Sequence, residues 1–120
     1  MIDKLILKLN SKKFSVCVIG LGYVGLPLIS RFIKSKIKVY GIDNDKNKIN
    51  VLKSGNSYIG SIDKSVSQYF RKNKDYLSTN YNLIKKSDVI IICLPTPLKK
   101  HSQKPDMSYI FNCAKNLKKN

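Results

Sequence analysis

The stretch Phe14-Ser15-Val16-Cys17-Val18-Ile19-Gly20-Leu21-Gly22-Tyr23-Val24-Gly25-Leu26-Pro27-Leu28 decides how the whole chain is read. Phe14 to Ile19 is a compact, β-rich apolar run that stops at a glycine, and Leu26, Ile29, Phe32 and Ile33 then recur at the steps of an amphipathic helix. The order is strand, tight turn, helix. Working outward, Lys38 to Ile42 reads as a second strand ending at Asp43, and Ile49 and Leu52 mark one side of a short helix that stops near Ser54-Gly55. Ile62, Val66, Tyr69 and Phe70 predict a third helix, with Ser61 or Asp63 as its cap. A short strand around Tyr76 to Ser78 follows, then a helical turn through Lys86 capped by Thr79 or Asn80. Val89 to Cys93 is apolar on both faces, as strands inside a sheet are. Asp106 can cap a last helix whose Met107, Ile110, Phe111, Ala114 and Leu117 share one face. Ahead of all this, Ile2, Leu5, Ile6, Leu7 and Leu9 predict a short docking helix within residues 1–13.

Strands alternating with helices at these lengths favour right-handed crossovers and a parallel sheet with helices on its faces. The expected fold is α/β, a Rossmann-type doubly wound sheet of about four strands in the order 3-2-1-4, where about six are usual. Residues 14–120 are accordingly expected to form one such domain, incomplete at its C-terminus.

Gly20-Leu21-Gly22-Tyr23-Val24-Gly25 matches GxGxxG, which by itself is weak, but here it follows a strand, opens a helix and lies 18 residues before Asp43. Each residue has a physical task. Gly20 permits the sharp turn, Gly22 leaves room for a pyrophosphate to meet backbone N–H groups at the positive end of the helix dipole, and Gly25 lets the helix approach the sheet. Asp43 can accept hydrogen bonds from the ribose hydroxyls, and its charge repels a 2′-phosphate, so NAD is expected rather than NADP. Lys48 lies within reach of the adenosine side. Thr96, between two prolines beyond the fourth strand, lies where ligands of such sheets sit.

Composition removes other classes. The formal charge is +16, from 23 basic and 7 acidic residues, which raises a nucleic-acid or membrane partner. Yet 21 of the 23 are lysine and no block exceeds two, so the charge reads as solvated helix faces, and the abundance of Ile, Lys and Asn as AT-rich coding. Base and phosphate recognition draws on arginine, of which only Arg31 and Arg71 exist. Cys17, Cys93 and Cys113 lack CxxC spacing and lie in apolar stretches, so they read as buried thiols of a reducing, cytoplasmic compartment. His101, the single histidine, lies eight residues from the nearest cysteine, so no metal site is expected. The longest apolar run, Val89 to Leu94, is six residues, far short of a membrane span.

At this point the chain resembles the UDP-glucose/GDP-mannose dehydrogenase family in its N-terminal NAD-binding domain. The resemblance rests on Val18 through Leu28, Gly41-Ile42-Asp43, Ser57-Tyr58-Ile59, Ser87-Asp88-Val89 through Cys93-Leu94-Pro95-Thr96-Pro97-Leu98, and Pro105-Asp106-Met107-Ser108-Tyr109-Ile110. It covers residues 14 to about 118. The PTPL loop with this helix start is most similar to the branch that oxidises UDP-N-acetylhexosamines, such as UDP-N-acetylglucosamine 6-dehydrogenase. The resemblance implies that Tyr23 and Val24 lie against the cofactor, that Asp43 and Lys48 hold the adenosine ribose, and that Thr96 contacts NAD near its reacting end. It implies a four-electron oxidation of a sugar C6 alcohol with two NAD, through a cysteine in a downstream GxCxP motif, for cell-surface polysaccharide precursors. The family is commonly oligomeric.

None of the three cysteines has that motif's neighbours, so no catalytic residue is assigned in this chain. Ser35-Lys36 replaces the glycine common after the first helix, which loses an easy left-handed helix end. Asn56 and Gly60 stand where acids are common. The expectation is a fragment or interrupted product that binds NAD without turnover, the alternatives being a free-standing NAD-binding module and a basic nucleic-acid-binding domain. The outer edge of the fourth strand is then expected to be apolar and unpaired, which favours aggregation.

Overall fold

A computed structural model describes residues 1–60 and 63–119. The elements run α1 (Ile2–Asn10), β1 (Ser15–Ile19), α2 (Gly25–Lys34), β2 (Lys38–Ile42), α3 (Lys46–Lys53), α4 (Lys64–Lys72), β3 (Leu77–Ser78), β4 (Val89–Ile92) and α5 (Ser108–Lys119). The four strands form one parallel sheet in the order β3-β2-β1-β4, as the sequence predicts. Register pairs Ile19 with Ile42 on one side and with Ile92 on the other, so three strands end at the same level.

Alternation along β1 divides the core in two. Val16 and Val18 face α2, α3 and α4, where they pack with Val39, Leu26, Ile29, Leu52 and Phe70. Cys17 and Ile19 face the other way, toward Tyr40, Ile42, Leu83, Ile84 and Cys113 of α5. Helices therefore cover both faces of the sheet. Capping follows the sequence: Asp63 accepts the Ser65 N–H, Asn80 the Asn82 N–H, and Asp106 the Ser108 N–H. Ser61 and Ile62, read as a cap and a helix contact, lie outside the described residues.

Several expectations change. Tyr76 belongs to a 3₁₀ turn, which leaves β3 only Leu77 and Ser78, and the turn from Tyr81 to Lys86 is 3₁₀ as well. In α5 the buried residue is Cys113, and of the predicted stripe Met107, Ile110 and Leu117 are half-buried, Leu117 packing on the same cluster as Cys113, while Phe111 is 61% exposed and Ala114 is on the surface. Cys93 is only half-buried, since it lies past the end of β4. The helix predicted near the N-terminus forms over Ile2–Asn10 but buries none of its residues. It meets the domain through Lys8, whose ammonium lies 3.0 Å from Asp88. Asp88 also accepts the Ser15 N–H, and these two contacts hold its carboxyl below the usual range. β4 lies at the edge of the sheet, with Ile90 and Ile92 each 38% exposed. The left-handed end that glycine usually provides is adopted here by Lys36, at φ 59°.

Candidate functional site

Above the carboxyl ends of β1, β2 and β4 the backbone turns away from the sheet and opens a cleft of about 450 Å³. Sequence dictates its floor. Gly20 has φ +99°, and a Cβ there would lie 2.4 Å from the Cys93 carbonyl oxygen, so only glycine fits. A Cβ on Gly25 would lie 1.9 Å from the Gly20 carbonyl oxygen, which brings the first turn of α2 directly onto the preceding loop. Gly22 differs: a Cβ there would meet nothing within 4 Å, so its missing side chain leaves open space on the cleft side. Gly20, Gly22, Tyr23, Val24, Asp43 and Lys48 all line this cleft, and Gly25 lies behind them as the packing residue. Thr96 is not among the lining residues and is exposed.

Asp43 is the hub. It is 9% exposed, its Oδ2 accepts the Leu21 N–H at 2.9 Å, and its Oδ1 accepts the Asp45 N–H at 2.9 Å. One carboxylate thereby fixes the glycine turn after β1 and the loop that enters α3. The Lys48 ammonium stands 3.9 Å from Oδ2 and 5.7 Å from the centre of the Tyr58 ring. An ionised carboxylate has about four lone-pair sites, so Asp43 keeps acceptor capacity beyond its two amides.

Sequence reasoning missed Tyr58. Its hydroxyl donates to the Leu21 carbonyl oxygen, and burial, then the charges of Asp43 and Asp45, push its pKa upward, so it stays a donor. The matched stretch Ser57-Tyr58-Ile59 contained it, but nothing local says that its ring reaches back to the glycine turn. Tyr109 of α5 and Asn44 also line the cleft, brought there by the folding of α5 and the loop after β2. Cys93 lines it too, with its thiol pKa raised by burial.

The site fits a dinucleotide. α2 begins at Gly25 behind Val24 with no side-chain cap, whereas α3 and α4 are capped by Asp45 and Asp63, so no side chain of the protein occupies its N-terminal end. The Leu26 N–H is taken by the Gly22 carbonyl at 3.1 Å and Pro27 has no N–H, so the helix dipole and the missing side-chain cap are what favour an anion at this end. Among the described residues no group of His, Cys, Asp or Glu could hold a metal ion, and no helix is long and apolar enough to cross a membrane.

Comparison with known proteins agrees. Residues 14–120 match the family model for the UDP-glucose/GDP-mannose dehydrogenase family, NAD binding domain. A UDP-N-acetyl-D-mannosamine dehydrogenase of Campylobacter jejuni is 36% identical over 104 residues, which is 87% of this chain and 25% of the relative. A UDP-N-acetyl-D-glucosamine 6-dehydrogenase of Pseudomonas aeruginosa is 34% identical over 110 residues, 90% of this chain and 25% of the relative. Among solved structures, a GDP-mannose dehydrogenase from Pseudomonas aeruginosa superposes with a TM-score of 0.70 at 30% identity, covering 84% of this chain and 24% of its own. A UDP-N-acetyl-mannosamine dehydrogenase from Staphylococcus aureus gives 0.71 at 29%, covering 86% and 25%. The chain spans about a quarter of the length of these relatives. With its four-stranded parallel sheet, its glycine turn and this match from residue 14 onward, the chain belongs to the UDP-glucose/GDP-mannose dehydrogenase family, matching it in its NAD-binding domain.

Proposed function

We propose that the chain is the NAD-holding part of a nucleotide-sugar 6-dehydrogenase that acts on a UDP-N-acetylhexosamine in the cytoplasm. The cleft at the ends of β1, β2 and β4, with Gly22 open beneath an uncapped helix and Asp43 beside it, carries this reading. The pyrophosphate would lie over Gly20 and Gly22 against the start of α2, with Gly25 setting the approach of the helix. Asp43 would use its remaining lone pairs for the ribose hydroxyls, and Lys48 would balance its charge. Tyr23 and Val24, 83% and 69% exposed, would be covered by the cofactor. Thr96, which follows the cleft-lining Pro95, would meet its nicotinamide end. Bound NAD supplies a hydride acceptor. The sugar site and the catalytic cysteine would come from sequence beyond these residues, so this chain orients NAD and excludes water from one side of it. Names of relatives that act on UDP-N-acetylmannosamine and UDP-N-acetylglucosamine support the substrate class.

Calorimetric titration of the chain with NAD and NADP tests this. NAD is expected to bind at one site, NADP at least about tenfold more weakly because Asp43 repels its 2′-phosphate, and Asp43→Ala to abolish the preference. Equal binding of the two cofactors, or none, would overturn the assignment. A charge-driven nucleic-acid binder would instead take up oligonucleotides with affinity that falls steeply with salt and ignores changes at Gly22.

A further inference from the structure

At the opposite end of the sheet, where the strands begin, lies a second concavity of about 320 Å³, lined by Lys12, Lys13, Lys36, Lys38 and Lys86. Asp88 is the acid in that lining, and it is already engaged by Lys8 and by the Ser15 N–H, each at 3.0 Å. Lys38 is held in place: its ammonium lies 5.1 Å from the ring centre of Tyr76 and 5.7 Å from that of Tyr40.

Backbone strain is concentrated at the same place. Of the three non-glycine residues with positive φ among those described, Lys12 and Lys36, both at 59°, line this concavity. Each follows the end of a helix, where the Lys13 N–H reaches the Lys8 carbonyl at 3.0 Å and the Ile37 N–H reaches the Phe32 carbonyl at 2.9 Å. Glycine is the usual residue at such positions, yet a lysine occupies both. Strained backbone of this kind persists where its surroundings hold it, and it clusters at ligand sites. The two helix ends offer about half a negative charge each, so five ammonium groups leave a net charge of roughly +4. Dipole compensation alone therefore accounts for a small part of the cluster.

We propose that this concavity binds a small soluble ligand carrying several phosphate groups, at a site separate from the dinucleotide cleft. The five lysines are all exposed and border one open depression, which suits a compact anion that several ammonium groups can reach at once. The lysines converge on it from the ends of α1 and α2, the start of β2 and the turn before β4, so folding alone creates the site.

The test is calorimetric titration of the whole chain with tripolyphosphate, with and without saturating NAD. Lys12→Gly with Lys36→Gly removes two charges at positions whose backbone suits glycine, so the fold is retained. Lys115→Gln with Lys118→Gln, on the exposed part of α5, removes the same charge elsewhere. One saturable site is expected, weakened about tenfold by the first pair and by less than about threefold by the second, and unaffected by NAD. Equal weakening by both pairs would reduce the effect to diffuse net charge. Displacement by NAD would move the site to the cleft. Sedimentation with vesicles of phosphatidylcholine and phosphatidylglycerol, without saturable tripolyphosphate binding, would make the surface a membrane contact. Each of these three results overturns the proposal.

Discussion

Asp43 Oδ2 accepts the Leu21 N–H at 2.9 Å, so the acid that ends the second strand also holds the glycine turn that follows the first. This contact makes Asp43 structural before any ligand arrives. Asp43→Ala would leave the amides of Leu21 and Asp45 without their acceptor, at a cost of about 2 kcal/mol. Asp43→Asn keeps the shape but turns an NH₂ toward one of the two amides, so it should be destabilising too. Urea unfolding of both variants without cofactor checks this, since a purely ligand-binding Asp43 would leave their midpoints at the parent value.

The glycines of the turn should separate by role. Gly25→Ala places a methyl 1.9 Å from the Gly20 carbonyl oxygen, a clash with backbone that should cost about 3 kcal/mol or more and unfold much of the protein. Gly22→Ala adds a methyl to open space, so stability should change by less than about 0.5 kcal/mol while NAD affinity falls. Thermal unfolding combined with NAD titration distinguishes them, and the reverse order of stabilities would contradict the geometry.

Alkaline pH should destabilise the fold in a defined order. Burial lifts Cys17 to about 12, because the thiolate would lie inside the apolar layer around Ile19 and Tyr40. Below the free thiol value of about 8.5 both states are neutral and nothing is lost. Above it the unfolded chain ionises and the native chain does not, so stability falls by about 1.4 kcal/mol per pH unit until the folded pKa is reached. Tyr58 and Tyr81, both raised chiefly by burial, add to the loss above the ordinary phenol range. Cys17→Ala should flatten the decline between about pH 9 and 10, read from urea midpoints across pH.

Lys36 offers a gain. Its left-handed backbone disfavours any residue with a Cβ, so Lys36→Gly should stabilise the fold by about 0.5–1 kcal/mol, the relief of strain exceeding the added entropy of the unfolded chain. A rise in the melting temperature checks this, and a fall would mean that packing of the Lys36 stem outweighs the strain.

The turn-forming part of the site was legible because its signals are local. Gly20, Gly22 and Gly25 act through backbone conformation and close approach, which spacing in the sequence exposes directly. Asp63, Asn80 and Asp106 were readable as caps for the same reason, since each bonds a backbone amide two residues on. Phe111 and Cys113 were not. Periodicity identifies a helix that has an apolar face, but α5 carries apolar residues around much of its circumference, and the sheet selected Cys113.

By itself the sequence determined the element order, the parallel sheet, the glycine turn and the acid at the end of β2, because period, caps and forbidden backbone angles act over a few residues. Only the tertiary structure decided that Tyr58 anchors that turn from 37 residues away, that Asp43 spends hydrogen bonds on two amides, and that five scattered lysines share one recess. Those relationships depend on which faces pack together, and packing is settled by the shape and burial of the whole chain.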